Sequence, residues 1–198
     1  KTVLAAAALE SGKVKPTDFP GSAPEWVEAE AINRGIELGA AAHCPVYIVH
    51  LSTRLGLERI RRAQAEGQRV WTETCPQYLL LAAEDMEKWG PLLKIGLPLR
   101  ARGSGNHEAL WKGLEDGSIS CIGSDHSPHP RELKERGWDN VFYQPDGSPV
   151  PFGSPGIETI AQVVYSKGVA ERGLPLQWLA RVMSENPARI FGLYPRKG

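Results

Sequence analysis

The sequence predicts an α/β protein built on parallel strands. Short β-branched apolar runs at 46–51, 70–74 and 119–123 alternate with segments of helical periodicity, the pattern of a parallel sheet. Polar residues gather where each run stops: His50 and Ser52, then Glu73 and Thr74, then Ser124, Asp125 and His126. A hydrophobic content of 41% with six tryptophans supports a packed core.

Taken in order, the apolar stretch Val3–Leu9 is followed at once by Glu10, Lys13 and Lys15, which suits a helix end better than a signal peptide. Residues 12–24 form a Pro/Gly-rich connection. Pro24 then opens a helix with Glu25 and Glu28 in its first turn, where the helix dipole favours acids. Val27, Ala31, Ile32, Ile36 and Leu38 continue its stripe to about Ala42. Val46–Leu51 after Pro45 reads as a strand buried on both faces. A helix over 54–66 carries Leu55, Leu57, Ile60 and Ala63 and ends near Gly67. Val70–Thr74 is the second strand and Ile119–Gly123 the third, after a helix around 107–115. The Pro/Gly-rich segment 126–155 is long for a compact domain and suits a lid or substrate loop. Helices are expected again at 156–168 and 175–184, then a short one from Asn186-Pro187 through Phe191, after which Tyr194-Pro195 leads outwards.

Composition excludes several classes. Lys+Arg and Asp+Glu number 23 each, so no charge excess draws nucleic acid or an anionic membrane. The three cysteines (Cys44, Cys75, Cys121) form no CxxC, which argues against a disulfide framework or zinc knuckle and for reduced cytosolic thiols. No stretch is long and apolar enough to span a bilayer. GxxxxGK, GxSxG and HExxH are all absent.

The carboxyl ends of parallel strands are where ligands bind, which makes the polar residues there the candidates for chemistry. His50 suits a metal ligand through neutral imidazole, or a core histidine bonded to the next strand. Asp125 suits a metal ligand or base, or an Asx cap of the following turn. Glu73 is either a buried hydrogen-bonding partner or a catalytic group. His126 and His129 read as loop residues, His43 and His107 as structural or surface, and Cys75 and Cys121 as small core residues.

Five ordered blocks now bear on identity: Tyr47–Ser52, Glu73–Leu79, Pro98–Arg100, Gly123–Pro128 and Asn186–Leu193. Together they resemble the dihydropyrimidinase/hydantoinase/allantoinase family of cyclic amidohydrolases. The resemblance implies a (β/α)8 TIM barrel, of which residues 1–193 would be the C-terminal part. Residues 194–198 would begin the connection to a β-sandwich. It also implies zinc, two ions bridged by a carbamylated lysine and a hydroxide, with His50 and Asp125 as metal ligands and Asp125 as the catalytic proton shuttle. Gly96 and Phe152 are its substrate-binding positions, Gly96 standing where the family often has Ser or Cys. The implied partner is a small cyclic ureide or imide, and the implied state a cytoplasmic homo-oligomer, a tetramer in the family.

The family's His-x-His pair, its bridging lysine and a further histidine have no counterpart in this chain, and Leu97 replaces the first proline of a usual Pro-Pro pair. Gln77 and Gly156–Thr159 lean towards dihydropyrimidinase or hydantoinase, and Ser127 towards allantoinase. A non-catalytic scaffold relative is the rival class, against which His50 and Asp125 speak.

Overall fold

The computed structural model describes residues 2–198. Its centre is a three-stranded parallel sheet in the order β1 (Val46–Ile48), β2 (Val70–Thr74), β3 (Cys121–Ile122). Val46 pairs with Val70 and Ile48 with Thr72, while Glu73 pairs with Cys121 and Thr74 with Ile122. All three strands therefore end on the same side.

Helices α2 (Glu25–Ala41), α3 (Arg54–Ala65) and α6 (Asn106–Asp116) connect to the strands. The apolar stripe of α3 is buried through Leu57, Ile60 and Ala63, and Thr53 caps it by accepting a 3.0 Å bond from the Gly56 amide. These residues share one core with Ile32, Leu51, Leu110, Leu114, Ile119 and Trp178. Helix α1 (Thr2–Glu10) lies outside it, against a smaller cluster of Phe19, Met86, Val141 and Phe142.

The expectation that Val46–Leu51 is a strand buried on both faces needs correction. Along β2, Val70, Thr72 and Thr74 are buried while Trp71 and Glu73 are half-exposed; β1 is half-exposed throughout and Val49 is exposed. One face is covered by helices, and the other carries the larger polar and aromatic side chains. The buried threonines sit comfortably there because each hydroxyl donates to a carbonyl of the neighbouring segment: Thr72 to Ile48 O at 3.0 Å and Thr74 to Leu51 O at 2.7 Å.

Strand ends also differ from expectation. The ladder continues past Ile48, with the Leu51 amide donating to Glu73 O at 2.8 Å, but His50 turns left-handed and regular geometry stops. A helix absent from the sequence reading, α4 (Pro76–Leu80), begins directly after β2, and α5 (Met86–Trp89) follows. Near the end, α8 (Ile160–Val164) and α9 (Leu176–Ala180) each run on into a π-helical turn, and α10 (Asn186–Ile190) closes the helical part.

Segment 126–155 is tied down along its length and holds one short helix, α7 (Arg131–Glu135). Bridges join His126 to Ser154 and Tyr143 to Pro149, and the Val141 amide donates to Val14 O at 2.7 Å. Among the described residues no helix is long and apolar enough to cross a membrane.

Candidate functional site

Among the described residues, His50, Asp125 and His43 are the non-glycine residues with positive φ, at 43°, 46° and 52° respectively. His43 has an ordinary cause: it follows α2, where left-handed residues commonly terminate helices, and the Cys44 amide closes back onto Gly39 O. His50 and Asp125 instead follow the ends of β1 and β3. Holding such a residue left-handed costs about 1–3 kcal/mol, and strain of this kind concentrates at functional sites. With β2 between them, the two strand ends stand about two strand spacings, roughly 10 Å, apart.

The turn after β1 is fixed by a buried polar network. Glu28 on α2 accepts from the Ser52 amide at 2.7 Å and from its hydroxyl at 3.1 Å. Arg100 donates to Ser52 Oγ at 3.1 and 3.0 Å and to Ala23 O at 2.6 Å, and it lies 3.6 Å from Glu28 Oε2. Burial raises the Glu28 carboxyl above its usual range, opposed first by the Arg100 charge. Burial likewise lowers Arg100, opposed by Glu28. Glu28 does occupy the first turn of its helix, but it serves this network more than the helix dipole.

His50 emerges from that turn with its Nδ1 buried and unbonded. It lines a groove of about 500 Å³ with Glu28, Ile32, Tyr47, Val49 and Leu97. Beneath it, the Tyr47 hydroxyl donates to Glu73 Oε2 at 2.8 Å. The Glu73 carboxylate rests against Gly123, where an added Cβ would come within 2.5 Å of Oε1. Burial and the bond to Glu73 raise the Tyr47 phenol, and burial pushes the Cys121 thiol to about 11. Glu73 is thus a bonded, half-buried partner on the uncovered face of the sheet.

Asp125 is half-buried, close enough to Cys75 and Tyr78 for its charge to add to the burial that raises both of their pKa values. Cys75 and Cys121 are buried, as expected of small core residues. His126 Nδ1 accepts from the Gly156 and Ile157 amides at 3.1 and 3.3 Å, a loop-holding role. His107 bonds Leu81 O at 2.8 Å, and His129 is exposed.

Gly96 and Phe152 meet across the loop: a Cβ built on Gly96 would lie 4.0 Å from Phe152 Cδ2. The Gly153 amide donates to Lys94 O at 3.0 Å, holding the two segments together. Among the described residues no group of three or more His, Cys, Asp or Glu side chains could hold a metal ion. The orphaned, buried Nδ1 of His50 fits one coordination position, and Asp125 supplies an oxygen donor of the type such sites use.

No family model matches the chain. An L-hydantoinase of Paenarthrobacter aurescens is 39% identical over 180 residues, covering 91% of this chain and 38% of that protein. An allantoinase of Salmonella paratyphi B is 36% identical over 190 residues, covering 94% of this chain and 39% of that protein. Among solved structures, a dihydropyrimidinase from Brevibacillus agri superposes with a TM-score of 0.91 at 33% identity, over 100% of this chain and 42% of that one. Fold and sequence thus point to one class of protein, the one that contains this hydantoinase, allantoinase and dihydropyrimidinase. The chain belongs to the dihydropyrimidinase/hydantoinase/allantoinase family, and it spans about two fifths of the length of the relatives it matches.

Proposed function

We propose that this chain forms the C-terminal part of a (β/α)8 barrel, residues 1–193, in a zinc-dependent enzyme that opens the ring of a dihydropyrimidine or hydantoin. Residues 194–198 would lead out of that barrel. The carrying observation is the pair of left-handed residues after β1 and β3, one of them with a buried ring nitrogen lacking a partner. His50 and Asp125 would hold the metal, with the remaining ligands supplied by other residues than those described. Bound zinc would supply Lewis acidity and an acidified water at neutral pH.

The chain's own residues have separate tasks. The Glu28–Ser52–Arg100 network keeps the turn carrying His50 from rotating, so its imidazole is presented in one orientation. Asp125, half-buried and left-handed, has a carboxylate that can take a proton at its oxygen and return it to the leaving ring nitrogen. Gly96 leaves space where a side chain would stand, and Phe152 borders that space with an apolar ring.

The test uses the intact protein carrying this segment. His50→Ala and Asp125→Ala should each lower bound zinc and reduce ring opening by at least about 10-fold, the usual scale for a disturbed metal site. Elemental analysis and hydrolysis of dihydrouracil, hydantoin and allantoin report both quantities. Normal metal content with normal turnover in either variant defeats the assignment.

A further inference from the structure

Lys134 is only 4% exposed, although it sits in the charged sequence Arg131–Glu135 on α7. It makes no ion pair among the described residues. Its ammonium instead donates to three main-chain carbonyls: Leu92 O at 2.7 Å, Lys94 O at 3.1 Å and Gly153 O at 2.6 Å. Two of these belong to the segment leading into Gly96, and the third follows Phe152 directly. Lys94 reaches back the other way, its Nζ donating to Val150 O at 2.5 Å and lying 5.6 Å from the Phe152 ring centroid. The two lysines form a reciprocal clasp between the segments.

The clasp adds to the main-chain bonds that already tie down this stretch, from the Gly153 amide to Lys94 O and from the Ser127 amide to Ser154 O, each at 3.0 Å. Ordering an irregular segment costs conformational entropy, and α7 is too short to hold it. Gly153 cannot be replaced as an anchor by bulk, because its φ of 131° and the Ser127 carbonyl 2.5 Å from any added Cβ leave room for hydrogen alone. Charge-assisted bonds to three carbonyls are the strongest polar link between the segments. Burial pushes the Lys134 pKa down to about 8, while the three acceptors favour the charged form.

We infer that Lys134 is a positioning residue: by clasping 92–94 to 153 it holds Phe152 over Gly96 as an apolar wall, selecting cyclic ureides that carry an apolar ring substituent. This rests on the proposed role of Gly96 and Phe152 at the substrate. The phenyl ring is 50% exposed and borders a position without a side chain, so an apolar substituent can be buried there. A polar ureido substituent would lose hydrogen bonds to water in the same place.

The experiment has two arms in the intact protein. In the kinetic arm, KM and kcat are measured for hydantoin, 5-benzylhydantoin and allantoin. Lys134→Met should raise KM for 5-benzylhydantoin on the order of tenfold, the scale of one apolar pocket contact. Its kcat and the KM for unsubstituted hydantoin should remain within about twofold, less than such a contact. Phe152→Ala should raise the KM for 5-benzylhydantoin by a similar factor, and the double variant should be no worse on that substrate than Phe152→Ala alone. In the second arm, hydrogen exchange should show the Gly153 amide losing protection in Lys134→Met while the Leu51 and Gly123 amides keep theirs. Lys134→Gln, which keeps an amide donor, serves if the methionine variant does not fold.

Additive KM effects, or an equal fall in kcat on all three substrates, would overturn the positioning role. So would unchanged Gly153 protection. A wild-type protein that opens none of the three rings defeats the functional reading and with it the substrate selection; the exchange arm then decides the clasp by itself.

Discussion

Removing the Arg100 guanidinium, by Arg100→Met, tests the network that fixes the turn after β1. Arg100 and Glu28 have side chains only 6% and 5% exposed, so neither charge can be solvated if the other is lost. The substitution deletes bonds to Ser52 Oγ and Ala23 O and the ion pair at 3.6 Å. Glu28 is left with the Ser52 amide and hydroxyl and the Thr53 side chain as its partners. Breaking a buried pair from one side costs about 3–5 kcal/mol, most of it for the stranded charge. Urea unfolding at pH 7, followed by tryptophan fluorescence, measures this loss. The double variant Glu28→Gln/Arg100→Met keeps an acceptor for the Ser52 amide and strands no charge, so it should recover at least about 1 kcal/mol of the single loss. The pH dependence gives an independent sign. Burial raises the folded pKa of Glu28, and losing Arg100 removes the main opposing cause. The folded variant then holds a proton that the unfolded chain has released above about 4.5, so its stability falls as pH rises through that window. A loss below about 1 kcal/mol, or a double variant no more stable than Arg100→Met alone, would refute the reasoning.

Two further outcomes follow from burial and from the sheet edges. Burial pushes the Cys121 thiol up from 9.0 to about 11, so the folded state keeps an extra proton and stability falls as pH rises across that interval. Tyr47 and Cys75 shift in the same direction, and thermal melts at pH 8 and 11 should show a smaller drop for Cys121→Ala than for wild type; equal drops would contradict the assignment. Since β1 and β3 are the outer strands, each has an open edge, and the 198-residue chain expressed by itself should associate in light scattering and bind zinc only weakly. A monodisperse monomer holding two tight zinc ions would show that a metal site has been overlooked.

The fold was legible where periodicity ran long enough. Helix α3 begins at Arg54 as expected because Thr53 caps it and Leu57, Ile60 and Ala63 share a face. Strand β2 matches its expected bounds for the same kind of reason, its alternation surviving as buried and half-exposed positions. Helix α4 was missed because five residues give periodicity nothing to repeat, and it is held by the burial of Tyr78 and Leu79. Strand β1 was overextended to Leu51. Its apolar pattern continues that far, but His50 leaves the extended region, and no one-dimensional pattern records a backbone angle.

The site divides along the same line. His50 and Asp125 were singled out because strand ends in parallel sheets are privileged positions, an argument that needs only the sequence around each residue, while their proposed metal roles come from the family resemblance. Gly96 and Phe152 were reached through the family resemblance alone, since 56 positions separate them and neither carries a chemical signal. Arg100 was picked out only as the last residue of the Pro98–Arg100 block, with no role attached, and Lys134 escaped altogether. Lys134 sits among charged residues that look like surface, and nothing along the chain pairs Arg100 with Glu28 or Lys134 with three carbonyls. What hides such residues is also what makes them informative. A buried charge satisfied by partners distant in sequence exists only if the tertiary arrangement is correct, so Arg100 reports on the turn holding His50 and Lys134 on the wall holding Phe152. The two variants should therefore separate: loss of Arg100 should weaken metal retention at His50, and loss of Lys134 should leave the metal in place and alter which ring substituents are accepted.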